Sequence, residues 1–111
     1  MPVSEQFLNY VIDQLSSWGE VSARRMFGGA GLYREGKMFA LIAGDVAYLK
    51  ADDSFRPDFE QRGCGPFRPW EHKKMTMPYY EIPADVLEDP KKLARWAERS
   101  FAIGSKTKKK K

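Results

Sequence analysis

The chain has 111 residues and no long polar spacer, which leaves room for one compact domain and none for a second active module. Apolar residues make up 42% of it and aromatics 14%, enough for a packed core, so a disordered body is excluded. Five of the 19 basic residues behind the net charge of +4 are Lys106, Lys108, Lys109, Lys110 and Lys111; the other 14 face 15 acidic residues, so residues 1–105 carry about −1 and the body is not built as a strongly basic nucleic-acid binder.

The first predicted element is a helix from Ser4 to Ser17, capped by Ser4, with Phe7, Leu8, Val11, Ile12 and Leu15 as its apolar stripe and Gly19 as its stop. The period then changes. Val21 to Phe27, Ala30 to Glu35, Lys37 to Ala43 and Val46 to Lys50 read as four consecutive strands. Glu35-Gly36 and Gly44-Asp45 suit two-residue hairpin loops, because glycine takes the positive φ such turns require, and this predicts an antiparallel meander. The run Met38 to Ala43 lacks alternation and is placed as a central strand covered on both faces.

Asp52 to Arg62 reads as a short helix with Asp53 or Ser54 at its cap, Pro57 in its first turn and Gly63 at its end. Two extended segments follow, Phe67 to Trp70 and Met75 to Ile82. Pro78 in the second cannot donate to a ladder, so that strand is expected to lie at an edge or to contain an irregularity. Pro83 opens a helical turn through Leu87, and Asp89-Pro90 begins a last helix running to Ile103 on a stripe of Leu93, Trp96, Ala97 and Phe101. The reading is an α+β domain over residues 3–103, with a mainly antiparallel sheet of about six strands flanked by N- and C-terminal helices; residues 104–111 read as a disordered, lysine-rich tail.

No residue pattern in the chain calls for a catalyst, a cofactor or a metal. Cys64 is the single cysteine and His72 the single histidine, so neither a disulfide nor a clustered Cys/His metal site can be assembled. Gly28-Gly29-Ala30-Gly31 lacks the spacing of a phosphate-binding loop and leads into a strand rather than a helix, which makes these close-packing or turn glycines. The pairs Asp52-Asp53 and Glu88-Asp89 precede helices and read as caps. With no basic, apolar leader and no run of about 18 apolar residues, the expectation is a cytoplasmic protein without a membrane segment.

Four blocks, Arg25-Met26-Phe27-Gly28-Gly29-Ala30-Gly31-Leu32-Tyr33, Met38 to Ile42, Tyr48-Leu49-Lys50 and Met77-Pro78-Tyr79-Tyr80-Glu81-Ile82-Pro83, occur in an order and spacing that resembles the amino-terminal domain of the TfoX/Sxy family. The resemblance runs from Leu8 to Ala102. It implies an α+β fold with an antiparallel sheet and offers no catalytic residues. The name-giving members are regulators of natural competence, held to act with the cyclic-AMP receptor protein, and carry a further carboxy-terminal domain that this sequence lacks. What the resemblance implies is a stand-alone regulatory or protein-interaction domain assisting transcriptional regulation. The expected partner is a protein, from the transcription machinery or a transcriptional regulator, and a weak homodimer is a further expectation. Trp70, Tyr79 and Tyr80 are the candidate partner surface. The alternatives are a weak, non-specific nucleic-acid binder and an unrecognised small enzyme or ligand-binding domain. For the nucleic-acid reading the candidate contacts are Lys92, Arg95 and Arg99 on the last helix with Lys106, Lys108, Lys109, Lys110 and Lys111 of the tail.

Overall fold

The computed structural model describes residues 5–26, 29–44, 46–66 and 78–109, with the side chains of Met26 and of residues 104–109 left aside. The chain is an α+β domain. Helix α1 (Glu5–Gln14) leads into β1 (Ser22–Met26), β2 (Gly29–Arg34), β3 (Lys37–Ala43) and β4 (Val46–Lys50); α2 (Arg56–Glu60), β5 (Tyr79–Glu81), α3 (Ala84–Leu87) and α4 (Pro90–Lys109) follow. The sheet is antiparallel in the order β1-β2-β3-β4-β5, as the short turns predict. Glu35 and Gly36 both have positive φ, 53° and 79°, the geometry of a tight hairpin whose twist matches its strands. The described strands number five. The expected strand at 67–70 and the start of the one at 75–82 lie outside the described residues, as does the proposed cap Ser4.

The pleat sorts the sheet into two faces. Ala30, Leu32, Ala40, Ile42, Ala47, Leu49 and Tyr80 align across the strands on one side. On this side lie Leu8 and Val11 of α1, Leu15 in the turn just after it, and Leu93 and Ala97 of α4, all in one buried cluster with Phe55, Phe59 and Val86. A register shift at Leu32/Tyr33 leaves Phe39 as an extra residue in β3, since Leu32 pairs with Ala40 and Tyr33 with Met38. Strict alternation would send Phe39 away from Ala40. The bulge brings it to the helix side, where it is fully buried and its ring stands 5.0 Å from Trp18. Arg34, two residues after Leu32 and so on the same face of β2, lies over the Trp18 ring at 4.3 Å, while Glu98 of α4 accepts the indole N–H at 2.9 Å.

Carboxylates hold the start of α4 and the turn that leads into α2. Asp89 accepts the backbone N–H groups of Lys91 at 3.0 Å and Lys92 at 3.4 Å, the cap expected before Pro90. Ahead of α2, whose cap position is Phe55 with no side-chain cap bond, the carboxylate that holds the leading turn belongs to Asp52, not to Asp53 or Ser54: it accepts from the Ser54 N–H and hydroxyl and from the Phe55 N–H. Burial opposes its charged form, but these hydrogen bonds outweigh it and hold Asp52 below the ordinary carboxylate value. The helix itself is shorter than the predicted span of 52–62. At the other end the prediction fell short: α4 was expected to stop near Ile103, yet its backbone continues helical to Lys109. Lysine is a good helix former and no proline intervenes, so one glycine, costing about 1 kcal/mol against alanine, does not end it.

Candidate interaction surface

Tyr79 and Tyr80 are neighbours in β5, so the pleat points them to opposite faces. Tyr80 lies opposite Leu49 on the helix side, half-buried, with its ring 5.6 Å from Phe59. Tyr79 lies opposite Lys50 and is only 6% exposed; burial, reinforced by nearby Tyr33, pushes its phenol above the ordinary value. Of the candidate partner surface Trp70, Tyr79 and Tyr80, the two tyrosines therefore face opposite sides of the sheet rather than forming one exposed aromatic patch. Trp70 lies outside the described residues.

The cations of α4 divide in the same way. Arg99 donates to Asp58 at 2.7 Å and lies over the Phe55 ring at 4.0 Å, and Lys92 stands 3.6 Å from Asp85. Both are at least partly committed to carboxylates of their own chain. Arg95 is exposed and makes no ion pair among the described residues. Lys106, Lys108 and Lys109 belong to the described helical backbone, while Lys110 and Lys111 fall beyond it.

Cys64 is half-buried, and burial together with Glu81 raises its thiol above the ordinary value despite Arg62, which disfavours a nucleophilic thiolate. Arg62 donates to both oxygens of Asp85 at 2.7 Å, and this guanidinium holds the Asp85 carboxyl below its usual range. His72 lies outside the described residues.

What the sequence reading missed is a sheet edge left open among the described residues. β5 docks beside β4 and is bridged on its outer side to Pro66, whereas among the described residues β1 has a neighbour, β2, on one side only. Ser22, Ala23, Arg24 and Arg25 are all exposed. Arg24 and Arg25 alternate in face. Arg24 lies 5.7 Å from the Tyr33 ring centre on the side away from the helices, and Arg25 reaches the Glu5 carboxylate of α1 at 3.2 Å. Where β1 begins, Glu20, Val21, Ser22, Tyr33, Arg34 and Glu35 line a shallow cleft of about 500 Å³. A meander names β1 as one end of a four-strand run, but no local signal says which end the fifth strand will cover.

Comparison with known proteins adds to this geometry. The family model described as the TfoX N-terminal domain matches residues 13–103. The DNA transformation protein TfoX1 of Aliivibrio fischeri (strain ATCC 700601 / ES114) is 34% identical over 74 residues, which cover 67% of this chain and 32% of that protein. The chain thus matches about a third of the length of this curated relative.

Proposed function

The chain belongs to the TfoX N-terminal domain family, and from that premise we propose that it is a non-enzymatic, cytoplasmic interaction domain that assists transcriptional regulation through a protein partner. The observation that carries this reading is the β1 edge, open among the described residues and suited to another polypeptide, beside carboxylates such as Asp89 and Asp85 that serve in a helix cap and an ion pair. Two further facts support it: the similarity to a protein named for DNA transformation, and the finding that no helix among the described residues is long and apolar enough to cross a membrane.

The test is genetic. A strain lacking the chain is expected to show altered transcript levels that the parent chain restores, and His72→Ala and Cys64→Ala should restore them equally. A well-folded His72→Ala or Cys64→Ala protein with no restoring activity would overturn the non-enzymatic reading.

One observation favours a second reading, a non-specific nucleic-acid binder. Because α4 continues to Lys109, backbone positions 91, 95, 106 and 109 fall on one side of a single helix. Five lysines on phosphates predict a slope of log K against log salt of about −4.5 for duplex DNA. Polarisation titrations over a salt series check this. Replacing all five (Lys106→Gln, Lys108→Gln, Lys109→Gln, Lys110→Gln, Lys111→Gln) is expected to abolish binding; a variant that still prefers one sequence would show that the folded body reads nucleic acid.

A further inference from the structure

We propose that the β1 edge is the docking site for an extended, acidic segment of a protein partner, which pairs along β1 as an added strand. The proposal rests on the interaction-domain reading and gives it a surface and a ligand chemistry.

The backbone supplies the first argument. β1 pairs with β2 through an uninterrupted register of five residues, from Ser22↔Tyr33 to Met26↔Gly29, so its other side is straight and carries outward N–H and C=O groups with no strand beside them among the described residues. Such a row is a template for another chain. The opposite edge is unsuited: β5 has three residues, is preceded by Pro78, and is bridged to Pro66.

Charge supplies the second. An edge can be blunted by cations, but here one cation already shows how a carboxylate is received. Glu5 reaches Arg25 from α1 with both side chains exposed, a weak, solvent-screened ion pair that a partner could displace. Arg24, one residue earlier and on the other face, has no carboxylate among the described residues. Two adjacent acidic residues on an added strand would point to opposite faces, one towards each arginine.

A second copy of the chain fits less well. Antiparallel pairing of two β1 strands about a two-fold axis keeps like faces together, so a centre at Arg24 or Arg25 sets identical guanidinium groups opposite one another. A centre at Ala23 sets Ser22 against Arg24 and neutralises neither cation.

The experiment uses the full chain and three synthetic capped peptides: Thr-Val-Glu-Glu-Val-Thr, the same with Lys-Lys in place of Glu-Glu, and Thr-Pro-Glu-Glu-Pro-Thr, which keeps the charge but removes strand N–H groups. Amide chemical shifts should move at residues 22–26 with the first peptide. Arg24→Glu is expected to weaken its binding by about tenfold and to strengthen that of the lysine peptide, with Arg24→Ala in between. Glu5→Gln, which vacates Arg25, should strengthen it by about twofold.

Equal binding of the proline peptide, shifts centred on α4, or a dimer held through β1 would each overturn the proposal. In the transcript assay, a folded Arg24→Glu protein that restores expression fully would remove β1 as the site and leave the interaction reading standing. Failure of the parent chain to affect transcripts would instead remove that reading, while the peptide data still judge the edge.

Discussion

Replacing Gly29 by alanine is expected to destabilise the domain by about 3 kcal/mol, the upper end for overpacked sites, and to lower its melting temperature by about 12 °C. Gly29 does not need glycine for its φ, which is not positive. It needs glycine for space: a Cβ at this position would fall on the carbonyl oxygen of Ile42 in β3. That obstacle is backbone, and Ile42 is fully buried and paired with Ala47 of β4, so it cannot swing aside as a long side chain would. Relief requires β2 and β3 to separate where both are buried. Gly36→Ala is the instructive contrast, because a Cβ there meets nothing within 4 Å and the cost is the strain of φ +79° alone. Thermal unfolding by circular dichroism measures both. A Gly29→Ala protein melting within about 2 °C of the parent would show that the strands part freely, against this account.

Phe59→Ala is expected to cost about 3–5 kcal/mol. Phe59 is fully buried and its ring meets those of Phe55 at 4.7 Å, Trp96 at 5.0 Å and Tyr80 at 5.6 Å, joining α2, α4 and β5. Helix α2 has only five residues, too few to be stable by its own hydrogen bonds, so the phenylalanines at i and i+4 are its anchors. The neighbouring ion pair of Arg99 with Asp58 is about half exposed on each side and contributes no more than about 1 kcal/mol, so truncating the ring is the larger loss. Urea denaturation followed by tryptophan fluorescence should show a lower midpoint, with the native emission shifted to the red as water reaches Trp96. An unchanged midpoint would mean that α2 is held by its surface charges instead.

Sequence alone determined whatever depends on periodicity and turn chemistry. The stripe Leu8-Val11-Leu15, the hairpin at Glu35-Gly36, the central place of Met38 to Ala43 and the Asp89-Pro90 helix start all follow from local patterns, and the structure has each of them. The antiparallel α+β class follows with them, since two-residue turns leave consecutive strands no other way to pair. The family resemblance was legible too, because it rests on the order and spacing of whole blocks, and the match over residues 13–103 agrees with it.

What only the tertiary structure decided is how surfaces are shared out. Tyr79 and Tyr80 look alike as letters, yet the register with β4 buries the first and packs the second on Phe59. Arg99 and Lys92 look like free cations until Asp58 and Asp85, 41 and seven positions away in the chain, arrive beside them. The extra residue in β3 turns Phe39 inward against the alternation of its strand. The edge that β1 leaves open among the described residues, finally, exists because β5 pairs with β4 rather than with β1. Each of these outcomes depends on contacts between residues distant in sequence, and neither a strand's own propensity nor its pleat specifies which neighbour it will meet.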